Sequence, residues 1–136
     1  MPMRTPQEIL AQSKTIAVVG LSDDNRRESY SVASYLQSHG FRIIPVNPTL
    51  KSVLGETSYA TLMDVPVPVD LVDVFGRPEF APAIAKNAVA IKAKAFWLQL
   101  GIVNEEAATI AREGGLDVVM NLCTMVVHRR MSLDSR

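Results

Sequence analysis

The side chains able to do covalent chemistry are few, and their spacing argues against most of it. Cys123 and His128 suggest a nucleophile and its base. Five positions apart on a helix they would point to different faces, and no third group is evident to orient the histidine. Asp70 and Asp73 suggest paired carboxylates, but their odd separation along a strand turns them to opposite faces, whereas hydrolysis would need both in one crevice. His39, just before Gly40, suits a surface place at a helix C-terminus. Neither histidine has a second ligand at a metal-binding spacing. No catalytic residue and no metal site is assigned.

Binding chemistry is better represented. The loop Gly20-Leu21-Ser22-Asp23-Asp24-Asn25-Arg26-Arg27 follows the apolar run Thr15-Ile16-Ala17-Val18-Val19. It keeps only the first glycine of the G-x-G-x-x-G fingerprint that lets backbone N–H groups close on a dinucleotide pyrophosphate. Arg26, Arg27 and the hydroxyls of Ser22 and Ser29 could meet phosphate with side chains instead; a solvated polar loop is the competing reading. A second test lies where the run Arg42-Ile43-Ile44-Pro45-Val46 ends. NAD-type sites usually present Asp or Glu there to the ribose hydroxyls, and this chain has Asn47-Pro48. An NAD(P)-type enzyme or subunit, the main alternative, therefore misses both of its requirements.

The elements that must hold these loops are legible from their punctuation. Thr5-Pro6-Gln7-Glu8 has the form of a capping box, with proline at the first helical position, and predicts a helix to about residue 12 or 13 that lays Ile9 and Leu10 on a sheet. Strand one, 15–19, is continuously apolar, as a central parallel strand covered on both faces would be. A helix from about Glu28 or Ser29 carries Val32, Ala33 and Leu36 as one stripe and stops at Gly40 before strand two, 42–46. Residues 51–64 are the least regular, with a turn at Gly55 and a helical turn over 61–64. Strand three is expected over 70–75, a helix from about Glu79 with Phe80, Ile84 and Ala88 near helical spacing, strand four over 95–99, a helix capped at Asn104, and strand five over 116–120. This alternation predicts an α/β fold: a Rossmann-like, open, parallel five-stranded sheet with helices on both faces, a three-layer sandwich forming a single domain over 1–136. Right-handed crossovers then gather the loops 20–27, 47–51, 75–78, 99–103 and 121–128 at one sheet edge.

Taken together, Thr15 to Gly20, Pro45-Val46-Asn47-Pro48, Val72-Asp73-Val74-Phe75-Gly76-Arg77-Pro78, Trp97-Leu98-Gln99 and the late Cys123 and His128 resemble the small stand-alone coenzyme A-binding proteins. Their fold is similar to the CoA-ligating N-terminal domain of the succinyl-CoA synthetase α subunit. The resemblance runs from about residue 8 to 131 and implies CoA held across the loop edge. It implies contacts from Gly20, Leu21 and Ser22, with Arg26, Arg27, Ser29 and Tyr30 nearby. Val46, Asn47 and Pro48 would line the nucleotide, Phe75, Arg77 and Pro78 would form another wall, and Gln99 and Gly101 would approach the pantetheine arm. Cys123 would stand near the cofactor sulfur, within reach of a mixed disulfide, although a buried structural cysteine is the commoner role. The chain departs from the pattern at Asn121-Leu122 and Val127, where relatives carry charge, and at Gly76, where an arginine is frequent.

The totals agree with a binding module. Lys plus Arg and Asp plus Glu are both 14, so the formal charge is zero and offers no support for a nucleic-acid or membrane-surface partner. A single cysteine and no leader-like N-terminus point to the reducing cytoplasm. No apolar run approaches the ~18 residues that span a bilayer. The expected function is the binding of CoA or an acyl-CoA without catalysis of its own. A homo-oligomer or protein partner stays open, as does a protein–protein interaction module with a vestigial CoA pocket, the reading that Leu122 and Val127 motivate.

Overall fold

The computed structural model describes residues 3–134; Met1, Pro2, Ser135 and Arg136, the ends of the expected domain, lie outside the described residues. Helix α1, Pro6–Gln12, opens with the expected capping box. The Glu8 amide donates to the Thr5 hydroxyl at 3.1 Å, and the Thr5 amide donates to the Glu8 carboxylate at 2.8 Å. Strand β1, Thr15–Val19, leads into α2, Glu28–Ser38, and β2, Arg42–Val46. An unexpected antiparallel hairpin follows, β3, Ser52–Val53, with β4, Glu56–Thr57. Its turn residues, Leu54 and Gly55, both have positive φ, the geometry that tight hairpins require.

Strand β5 is Leu71–Val74, shorter than the expected 70–75. Asp70 is drawn out of the strand by its carboxylate, which accepts from the Lys14 and Thr15 amides at 2.9 Å each. The helix expected from Glu79 begins instead as a 3-10 turn, Pro78–Phe80, and becomes α3 only at Ala81–Ala90. Pro82 explains the difference: it has no N–H with which to bond the Pro78 carbonyl. Asn104 Nδ2 takes that carbonyl at 3.0 Å, and Phe80 stays outside the core, 58% exposed. Then come β6, Ala95–Leu98, α4, Glu105–Glu113, capped by Asn104, β7, Asp117–Met120, and α5, Thr124–Asp134.

The five long strands form one parallel sheet in the order β2-β1-β5-β6-β7. Setting the hairpin aside, this is a doubly wound 2-1-3-4-5 order, whose direction reverses between β1 and β5. One face packs Ala17, Val72, Val74, Phe96 and Leu98 against alanines 81, 85 and 88 of α3 and 107, 108 and 111 of α4. The other packs Ile16, Val18, Leu71 and Trp97 against Ile9, Leu10, Val32 and Leu36 of α1 and α2, with Met125 and Val127 of α5 alongside. The result is the expected Rossmann-like three-layer sandwich, with both helical layers meeting at the edge where the strands end.

Candidate functional site at the switch point

At the reversal between β1 and β5 two cavities share Gly20, Phe75 and Gly76 as their common wall. Gly20 is indispensable to this junction. It sits at φ +83°, donates to the Val46 carbonyl at 2.9 Å, and leaves no room for a Cβ, which would strike the Phe75 carbonyl oxygen.

The first cavity, about 360 Å³, lies between the ends of β1, β2 and β5. Of the residues singled out in the sequence, Val46, Asn47, Pro48, Phe75 and Arg77 line it, joined by Ala60, Phe80 and Ile84, which were not. Asn47 holds this wall together: its Nδ2 donates to the Leu21 carbonyl at 3.0 Å, and its Oδ1 accepts from the Thr49 amide and hydroxyl at 2.9 and 2.8 Å. A carboxylate there would have no proton for the Leu21 carbonyl. The absence of an NAD-type acid is thus also a structural requirement.

The second cavity, about 350 Å³, lies over the start of α2 and is lined by Ser22, Arg27, Glu28 and Ser29. Arg27 is the N-cap residue, and no side chain caps the helix, so its first N–H groups and the positive end of its dipole face this loop. The Ser22 amide donates to the Ser29 hydroxyl at 3.1 Å, which fixes the loop against the helix. This is the chemistry of an anion site without the glycine fingerprint.

Other sequence-predicted residues fall elsewhere. The Leu21 side chain is fully buried in the core. Arg26 forks onto Asp24 with two contacts of 3.0 Å, a pairing that holds the Asp24 carboxyl below its ordinary range, and lines neither cavity. Tyr30 packs against the α2-side core, and Pro78 opens the 3-10 turn. Gly101 donates its amide to Asn121 Oδ1 at 2.7 Å.

Gln99 is buried beneath the loop edge with Asp73 and Thr124. Its Nε2 donates to Asp73 Oδ1 at 2.6 Å and to Thr124 Oγ1 at 2.8 Å, while Thr124 donates to Asp73 Oδ2 at 3.1 Å. Burial pushes the Asp73 carboxyl up to about 7, against the pull of those two donors. Gln99 Oε1 is buried without a hydrogen-bond partner among the described residues. No sequence signal links these three, because they lie on three separate elements.

Cys123 is buried at the foot of α5 and is not paired with His128. Instead His128 Nδ1 meets the Tyr35 hydroxyl at 2.9 Å, and the His39 ring lies 4.0 Å from that of Tyr35 and 5.3 Å from that of His128. His39 is exposed, as expected of a helix-end residue, but belongs to this α2–α5 junction rather than standing free. Burial, and then the nearby His39, lower the His128 pKa. Among the described residues no group of three His, Cys, Asp or Glu side chains could hold a metal ion, and no helix is long and apolar enough to cross a membrane.

Comparison with known proteins places this geometry in a family. A model of the CoA binding domain matches residues 14–129. The chain is 45% identical over 122 residues to the Bacillus subtilis (strain 168) protein YneT, covering 90% of each. It is similar to a solved hypothetical protein from Pyrococcus horikoshii OT3, with 36% identity, a TM-score of 0.90, and coverage of 95% of this chain and 93% of that one. It also shares its fold with part of the dinucleotide-forming acetyl-coenzyme A synthetase 1 of Ca. Korarchaeum cryptofilum, at 23% identity and a TM-score of 0.68, over 77% of this chain and 25% of that one. The chain belongs to the CoA-binding domain family.

Proposed function

We propose that this member of the CoA-binding domain family holds coenzyme A or an acyl-CoA at the switch point of this one domain, in the cytoplasm and without chemistry of its own. The observation that carries the reading is the pair of cavities meeting at Gly20, Phe75 and Gly76, one polar and over a helix start, the other walled by apolar side chains.

The division of labour follows from the lining. The uncapped first turn of α2, with Arg27 and the hydroxyls of Ser22 and Ser29, receives the diphosphate. Val46, Pro48, Phe75 and the exposed ring of Phe80 take the faces of the adenine, and Arg77 at the rim meets the 3′-phosphate. The pantetheine arm then runs along the edge towards Gln99, Gly101 and Cys123. CoA supplies a thiol on which an acyl group can be carried; the protein's part is to bind and orient it. Native mass spectrometry of the purified protein tests this. A retained mass equal to CoA or one of its thioesters is expected, and addition of CoA to stripped protein without any mass shift would overturn the reading.

A further inference from the structure

A third cavity, about 500 Å³, remains outside the site described above. It lies between α1 and α5, over the ends of β6 and β7, and its wall is made by Leu100, Leu122, Cys123, Val126, Val127 and Met131. Its volume falls in the roughly 300–1,000 Å³ range of small-molecule sites. Leu100, Leu122 and Val126 are 61%, 39% and 38% exposed, a concentration of accessible apolar surface that folding alone does not explain. Gln7 and Arg130 bring an amide and a charged side chain to the lining.

Resting on the CoA reading, we propose that this groove is the sleeve for the acyl chain of a CoA thioester, which makes acyl-CoA rather than free CoA the favoured ligand. Position is the first reason. Leu100 directly follows Gln99, and Leu122 directly follows Asn121, whose side chain holds the Gly101 amide, so the groove opens on the same sheet edge as the crevice. It lies on the α1–α2–α5 side of the sheet, the side of the cavity at the start of α2. From the β1–β5 gap to the β6–β7 gap is two strand spacings, about 10 Å, a short span for an extended pantetheine arm.

Chemistry is the second reason. A hydrocarbon chain has no polar group to desolvate and asks only for apolar walls, which Leu122 and Val127 supply. A second copy of this chain suits the groove less well: two-fold docking over this face would bring the exposed Arg130 of each copy towards the other. The sleeve binds without reacting. Cys123 lines it, but the histidine that could act as its base is engaged with Tyr35.

The test is calorimetric titration of the full chain with CoA, acetyl-CoA, hexanoyl-CoA and decanoyl-CoA. Affinity is expected to tighten by about two- to four-fold per added methylene until the groove is filled. Val126→Asp, and separately Leu100→Ser, should flatten that series while leaving CoA affinity within about two-fold. Tight binding of CoA with no dependence on chain length would overturn the sleeve and leave the CoA reading intact. Failure to bind CoA or any thioester would overturn both. A flat series together with a sedimenting dimer that Val126→Asp dissociates would give the groove to a second copy and overturn the proposal.

Discussion

Phe80 is the residue whose role changed most between sequence and structure. Counted by helical spacing it shares a stripe with Ile84 and Ala88; Pro82 breaks the first turn, and the Phe80 ring stays exposed and lines the crevice. Phe80→Ala should therefore leave thermal stability nearly unchanged and weaken CoA binding by about 5- to 100-fold, the range of base–aromatic stacking; unchanged affinity would remove the ring from the nucleotide wall. Asp73 makes a different prediction. Its carboxyl is held protonated up to about pH 7, whereas in the unfolded chain it ionises near its ordinary value of 3.8. Between those values the folded state binds more protons, so this group's contribution to stability falls as pH rises from about 4 to 7, by an order of a few kcal/mol, and stays low above that. Asp73→Asn keeps one acceptor, Oδ1 for Gln99, turns the other atom into a donor towards the Thr124 hydroxyl, and removes the titration. Urea unfolding at pH 4.5 and 8 should show the variant gaining on the wild type at the higher pH; parallel profiles would contradict the burial argument.

At the scale of elements, the start of α2 carries the anion-binding claim. Glu28 in its first turn is favourable for the helix dipole but places a carboxylate beside the phosphate position. Glu28→Gln should tighten CoA by about two- to five-fold at low salt, with the difference shrinking as salt rises; a weakened affinity would move the diphosphate elsewhere. The α2–α5 junction has its own pH dependence. The folded pKa of His128 is lowered, so its protonation favours the unfolded state, and the junction's contribution, present above the ordinary 6.5, is lost as pH falls through the lowered folded value. His39→Gln removes the neighbouring histidine. Thermal unfolding between pH 7.5 and 5.5 should then show a smaller acid-side loss than in the wild type, and an equal loss would show that His39 does not bear on His128.

The whole molecule shows why some of this was legible in the sequence and some was not. The strands, the capping box at Thr5 and Glu8, the gathering of loops at one edge and the absence of an acid after β2 are local signals of apolar runs, caps and turn residues, and they survive folding. The β3–β4 hairpin is too short to carry a period of two, Gln99 is engaged by groups 25 and 26 residues away, and the α1–α5 groove exists only after two distant helices pack. Folding decides which of the candidate side chains face the cavities at the switch point: Val46 and Arg77 do, while Leu21 and Arg26 turn to other tasks. The central claim, that this switch point takes CoA and not NAD, is tested most directly by titrating the purified, stripped protein with each cofactor in a calorimeter under identical conditions. Saturable one-to-one binding of CoA with micromolar or tighter affinity, and no measurable heat from NAD, is the predicted result; NAD binding as tightly as CoA, or negligible heat from both, would contradict it.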